Sequence, residues 1–474
     1  MSTITKYAVM AILPLLYACS DGNNNNRPTP APTPTPTPPP VSESAQLRVT
    51  HASADAPAVN VYVDGALALE GVEFKQSSGL IEFAEPKTIE VEVRGILPDG
   101  SEVSVIGPVD LALAEGERTD VVAVGDLFDA NGAISIAPKV LPAVEIDDDI
   151  SDVRVSVLHA APGVGAVDIY VTAPGGALAD TTPITAAFGD AAGPVALAAD
   201  TQYQVRIAPQ GSSEVVFDSG TVSFPAGTEL VLVAVENTYK LKPSPVTLLA
   251  VGPEGASEVV DVNTGAAVRV VHNSADTPAV DVLVNGAVAV DALAFPDATN
   301  YSDLEAPAGT YNVVVAADAD NSIAPIDVDL TLEATKSYTV IAAGSLAEMT
   351  LVPILTEDDR RNVATAAKVE VIHGSFLVAG QIPVDIYLTS DGVIADAEPA
   401  ISDLAYQETT GQLALSPGDY WITVTAAGDK SVVAFDSGAT LALEAGVNYT
   451  VIARDPSESE GSGSPLINVT LLTD

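Results

Sequence analysis

Cysteine occurs once in the 474 residues, tryptophan once and histidine four times. A lone Cys19 permits no disulfide within the chain, so a small stapled scaffold is excluded and each domain must stand on its own apolar core. Cations are also scarce, since 19 Lys and Arg face 64 Asp and Glu for a formal charge of −45. Such a surface repels phosphate backbones, which removes DNA and RNA as partners. No apolar run after the N-terminal segment is long enough to span a bilayer. Nucleophile elbow, phosphate loop, zinc-protease and dinucleotide motifs are all missing.

The four histidines, His51, His159, His272 and His373, are instead markers of an internal repeat. Each follows a short apolar strand pattern and precedes a turn and a second strand, as in His51-Ala52-Ser53-Ala54-Asp55-Ala56-Pro57-Ala58-Val59-Asn60-Val61-Tyr62-Val63-Asp64-Gly65. They stand roughly 100 residues apart, one ordinary domain per copy. Short alternating apolar runs rich in Val and Ile, broken by Gly, Pro, Asp and Asn, predict an all-β fold. The expected architecture is a tandem array of four immunoglobulin-like antiparallel β-sandwiches at residues 45–140, 153–250, 266–356 and 368–474, with a β-barrel as the structural alternative. In the first copy strands are expected at residues 47–51, 59–63, 89–94, 109–113, 120–124 and 134–136. Residues 142–152, 253–265 and 357–367 read as polar linkers.

Ahead of the array, Lys6 and the apolar residues 8–17 lead to Leu16-Tyr17-Ala18-Cys19. This resembles a bacterial lipoprotein signal peptide over residues 1–18, and the resemblance implies cleavage before Cys19 and acylation of that residue, palmitate included. The expected location is the cell envelope, on the outer membrane of a Gram-negative cell, because Ser20 rather than Asp follows the cysteine. Residues 19–44 form a spacer in which Pro alternates with Thr or Ala, and an extended polyproline-type run there reaches roughly 40 Å at ~3.1 Å per residue.

Strand alternation places each histidine on the same face as the apolar residues two and four before it, so a core position bonded to the following turn is expected. One histidine per domain gives no paired nitrogens for a metal. Asn60, Asp168, Asp281 and Asp385 recur on the second strand and are read as turn anchors, pointing outward together with Tyr62, Tyr170 and Tyr387. Tyr203, Tyr311 and Tyr420 each open a strand, with the ring packed inward and the hydroxyl bonded across a loop. The two Phe-Asp-Ser-Gly runs, Phe217-Asp218-Ser219-Gly220 and Phe435-Asp436-Ser437-Gly438, read as strand ends entering turns. Clustered carboxylates at Asp147, Asp148, Asp149, Asp318 and Asp320 are the weak candidates for calcium, without EF-hand spacing.

The His51 run and His272-Asn273-Ser274-Ala275-Asp276-Thr277-Pro278-Ala279-Val280-Asp281 resemble the opening of the domain of unknown function 4397 family. The resemblance extends over nearly all of residues 45–474, with departures at Ala161-Pro162-Gly163 and in an insertion around Gly374 to Ile382. It implies a β-sandwich repeat outside the cytoplasm and assigns no activity. The functional expectation is a lipid-anchored, non-enzymatic envelope protein whose sandwiches bind or adhere to an extracellular or envelope protein or polysaccharide. No cofactor is expected beyond possible calcium. A structural spacer without a ligand is the alternative, and an envelope hydrolase stands third.

Overall fold

Runs of β-branched residues interrupted by Gly, Pro and Asp favour short strands joined by tight turns, and the computed structural model is built from them. It describes residues 44–146, 150–241, 244–304, 309–377, 383–457 and 466–474; the expected signal peptide, Cys19 and almost all of the Pro/Thr spacer lie outside the described residues. In the first repeat the strands are β1 (Ala45–His51), β2 (Val59–Val63), β3 (Ala66–Val72), β4 (Ile81–Phe83), β5 (Lys87–Ile96), β6 (Glu102–Leu113), β7 (Glu117–Val124), β8 (Ala137–Val140) and β9 (Val144–Glu145). One sheet runs β4-β1-β7-β8 and the other β3-β2-β5-β6. Its pairs are antiparallel except β1 with β7, which is parallel. Two four-stranded sheets recur in each of the other repeats, one of them extended by a fifth strand. There the first strands Val153–His159, Ala267–Asn273 and Ala367–His373 again run parallel to Thr228–Glu236, Ser337–Ala343 and Asn448–Arg454.

The chain is thus an all-β array of four sandwiches, as its pattern predicts. Several details differ. β3 and β4 were not expected; β3 is a largely exposed edge whose hairpin is set by Asp64 and Gly65, both at positive φ, the geometry of a two-residue hairpin turn. The expected strand at 134–136 falls at β8 instead. The linkers also carry structure: Gly255–Val259 pairs with Val246–Gly252, β9 pairs with β7, and the edge strand Val352–Asp358 of the third repeat runs two residues into the third linker. Phe217-Asp218-Ser219-Gly220 and its partner at Phe435 lie within continuous strands, where Ser219 and Ser437 accompany bulges rather than turns.

Each sandwich has its own core. In the first, Leu47, Val49, Val61, Ile89 and Val93 meet between the sheets. Two further cores were not foreseen, because they lie between repeats. Val122 and Val124 from the first repeat pack against Leu158, Val231, Val233 and Leu249 from the second. Val271, Ile341 and Ile354 from the third likewise meet Ile372 and Ile452 from the fourth. The sheets that carry the parallel pair therefore stand back to back, repeat 1 on 2 and repeat 3 on 4. Burying each such Val, Leu or Ile contributes about 1.5–3 kcal/mol, so these seams are comparable to domain cores.

Charges are buried in the seams as well. Arg48 meets Asp120 at 2.5 Å, and Arg118 bridges Asp120 at 3.2 Å and Glu229 of the second repeat at 2.7 Å. Across the other seam Arg269 donates to Thr339 at 2.9 Å and to Thr450 of the fourth repeat at 3.1 Å. Glu370 there accepts hydroxyls from Thr356 and Thr409. The two pairs are in turn joined by the segment after Asp358. Arg361 donates to the carbonyls of Ala54 and Ala56 in the first repeat, and Ala364 N–H to that of Asp55. Arg360 makes two bonds to the Asp474 carboxylate, which also faces Lys240 of the second repeat at 3.6 Å.

Candidate functional site

The residues that define the repeat converge on one end of each sandwich. His51 is 1% exposed. Its Nδ1 accepts from Ser53 N–H at 3.4 Å while Nε2 meets the Pro57 carbonyl at 3.0 Å. A backbone N–H can only donate and a carbonyl can only accept, so the ring is fixed as the neutral Nε2–H tautomer. His159 does the same with Ala161 and Gly165, and His272 with Ser274 and Pro278. The expected turn-holding role is what these three rings perform. Burial drives the His51 pKa down to about 4, against a raising effect of the Pro57 bond, and lowers that of His272 for the same reason.

An aromatic ring meets each histidine edge-on: Phe74 at 6.3 Å, Phe188 at 6.5 Å, Phe295 at 6.0 Å and, for His373, Tyr406 at 6.0 Å between centroids. Sequence reasoning missed these partners, although each lies 23 to 33 residues after its histidine and recurs in every copy. His373 differs from the other three. It is 1% exposed, yet neither ring nitrogen has a hydrogen-bond partner among the described residues, and burial again takes its pKa to about 4.

The second recurring position is a turn anchor, as expected, but it is not outward in the sense of exposed. Asn60, Asp168, Asp281 and Asp385 are all 7% exposed or less. Asp168 accepts from Thr185 Oγ1 at 2.6 Å and Gly211 N–H at 2.8 Å; Asp385 accepts from Asp403 N–H and Gly428 N–H, both at 2.9 Å. Each carboxylate ties the neighbouring edge strand to a hairpin on the other side. Asn60 takes the Gly71 N–H and gives its amide to Glu102, which also binds the Tyr62 hydroxyl. Tyr170 and Tyr387 are buried too, where outward placement had implied solvent. Tyr203 and Tyr420 bond across their loops to Ala198 and Ser416 carbonyls. Trp421 donates to Asp436 at 2.9 Å and lies against Gly392, whose missing Cβ makes room for the ring.

A third element was not read from the sequence at all. Asp55, four residues after His51, accepts the Leu127 N–H at 2.8 Å, and Asp276 accepts Ser345 Oγ and the N–H groups of Leu346 and Ala347. The carboxylate fastens the histidine turn to the loop after the seventh strand. In repeats 2 and 4 the position holds Gly163 or Leu377, and the acid comes from the opposite side. Glu236 accepts Gly163 N–H at 2.9 Å, while Asp455 accepts Ser375 Oγ and Leu377 N–H. The contact is kept with its polarity reversed.

Of the calcium candidates, Asp147, Asp148 and Asp149 lie outside the described residues. Asp320 caps its own turn through Ser322. Asp318 sits with Asp281 and Asp291, one carboxylate oxygen of each within 4.8 Å of the others. These are hard oxygen ligands of the type a divalent cation takes. Two exposed carboxylates and one buried one make a repulsive cluster in its absence.

Two cavities lie within sandwich cores rather than between them. One of about 340 Å³ in the fourth repeat is lined by side chains including Val371, Ile386, Leu415, Ile422, Val451 and His373. A second, of about 210 Å³, lies in the first repeat beside β6 and β8. Native cores hold few voids larger than a water molecule.

A family model described as Domain of unknown function (DUF4397) matches residues 45–170, 153–264 and 266–387. No curated protein matches the chain. Among solved structures, the crystal structure of BcpA, the major pilin subunit of Bacillus cereus, aligns over 86% of this chain and 98% of that one, at 8% identity and a TM-score of 0.12. So slight a likeness carries no argument. Among the described residues no helix is long and apolar enough to cross a membrane.

Proposed function

The chain belongs to the family described as a domain of unknown function, DUF4397, and from that premise we propose a lipid-anchored envelope protein that displays paired β-sandwiches for binding, without catalysis of its own. The observation that carries this reading is the use made of the repeat-defining residues. Three of the four histidines spend both nitrogens on their own turn, and the recurring carboxylates spend their oxygens on backbone N–H groups and hydroxyls. What the copies share is scaffold. Recognition then falls to what they do not share, the loops and exposed edges, which can vary without disturbing the cores.

Attachment rests on the Leu16-Tyr17-Ala18-Cys19 stretch. Multiple acyl chains on Cys19 would hold the protein to the membrane, each buried methylene adding about 0.8 kcal/mol. The partner class is an extracellular or envelope protein or polysaccharide, and the strong negative charge disfavours anionic ones. The test is metabolic labelling with palmitate in cells making the natural chain or Cys19→Ser. Label and detergent-phase partitioning that both depend on Cys19 support the anchor; equal partitioning of the two chains refutes it.

A further inference from the structure

The cavity of the fourth sandwich differs from an ordinary packing defect in three ways. It sits in the middle of a core, where Val369, Val384, Val424 and Leu443 are otherwise buried. Its wall contains a polar group without a bond, since both nitrogens of the 1% exposed His373 are unpartnered among the described residues. It also reaches the surface: the lining includes Thr440 and Leu441 on the edge strand Asp429–Leu443 and the 40% exposed Leu471 on the edge strand Asn468–Thr473. These are the last strands of the two sheets, so the mouth opens between their edges.

We propose that this cavity binds an uncharged aliphatic molecule with one hydroxyl head, a long-chain alcohol, whose tail fills the core and whose head meets His373. The tail follows from the lining, in which His373, Ser437 and Thr440 are the polar residues among aliphatic ones and the single ring of Phe435. The head follows from the histidine: a neutral imidazole offers one donor and one acceptor on diverging sides of the ring, and a hydroxyl, which both donates and accepts, answers whichever nitrogen faces the cavity. No Lys or Arg lines the cavity, so a carboxylate head would be buried unpaired in a chain of net charge −45. The contrast with the first repeat supports the assignment. There the cavity at the same edge is smaller, His51 is absent from its lining, and both His51 nitrogens are bonded to the turn. This site is independent of the anchoring and display reading.

The experiment is titration of the full-length chain, labelled at Ile, Leu and Val methyls, with 1-decanol, decane and decanoate. Saturable shifts with decanol at Val371, Ile386 and Ile422 are expected, with decanoate much weaker. Val451→Phe places a ring in the cavity and abolishes binding while the urea midpoint stays or rises. His373→Phe weakens decanol about tenfold, the worth of one good hydrogen bond, and leaves decane unchanged. Absence of saturable binding, shifts located elsewhere, or undiminished binding by Val451→Phe overturns the site. Preference for decanoate over decanol overturns the uncharged head.

Discussion

The neutral, buried His51 makes stability depend on acid in a way that can be read residue by residue. Its pKa falls from 6.5 to about 4 because desolvation penalises the charged ring, with Arg361 nearby adding to the effect. A base depressed in the folded state binds more protons when unfolded, so its contribution to stability is present above pH 6.5 and is lost as pH falls toward 4. Between pH 7 and pH 5 that loss is about 2 kcal/mol. Asp358 works in the opposite direction: burial raises it to about 6, so the folded state takes up its proton first and regains about 1 kcal/mol over the same interval. The whole-chain curve mixes these with the losses from His272 and His373, which burial also depresses, and the informative quantity is the difference between the natural chain and His51→Gln. The variant should lose about 2 kcal/mol less on going from pH 7 to pH 5, measured from urea transitions at both. With four histidines in the chain, the ring protons can also be followed individually by NMR. A His51 ring that titrates near 6.5, or identical pH dependence of variant and parent, would refute the reasoning.

Other substitutions test other joints. Asp385→Ala strands the N–H groups of Asp403 and Gly428 and should cost about 2–6 kcal/mol at ~1–3 kcal/mol per unsatisfied group, with faster hydrogen exchange at those two amides. Arg361→Ala removes the bonds to Ala54 and Ala56 and the stacking on Phe74 at 5.1 Å; exchange in residues 52–58 should rise by at least tenfold, while the seam at Val122 and Val231 keeps its protection. Asp318→Asn relieves repulsion among Asp281, Asp291 and Asp318 and should raise the melting temperature in chelator. If calcium raises the parent's melting temperature and not the variant's, the cluster is a cation site; if calcium moves neither, it is only a crowded one.

The fold class was legible because alternation, turn residues and repeat spacing all pointed the same way. The paired arrangement was not, and the reason lies in a few positions. By alternation Arg48, Arg269 and Glu370 fall on the face opposite the core, where charged side chains ordinarily meet solvent, yet they are 1%, 4% and 0% exposed. The counter-signal was in the strand Thr228–Glu236, whose Leu230-Val231-Leu232-Val233-Ala234-Val235 run does not alternate, the mark of a strand covered on both faces. Of the site, the histidine placement was predicted from period two, whereas the Asp168-type anchors were read from the exchange of Asn for Asp between copies, period two having pointed them outward. The exchange of Asp55 for Glu236 and of Asp276 for Asp455 could not be, because partners some 70 to 80 residues apart meet only when the first and seventh strands lie side by side.

The back-to-back seams change what counts as a part of this protein. A sequence with four copies invites the idea that any one copy can be lost, gained or moved without harm to the others. A lone first repeat would carry Val122, Val124 and the Arg48–Asp120 pair into water. The interchangeable module is therefore the couple, and changes in copy number that respect the fold should come in twos.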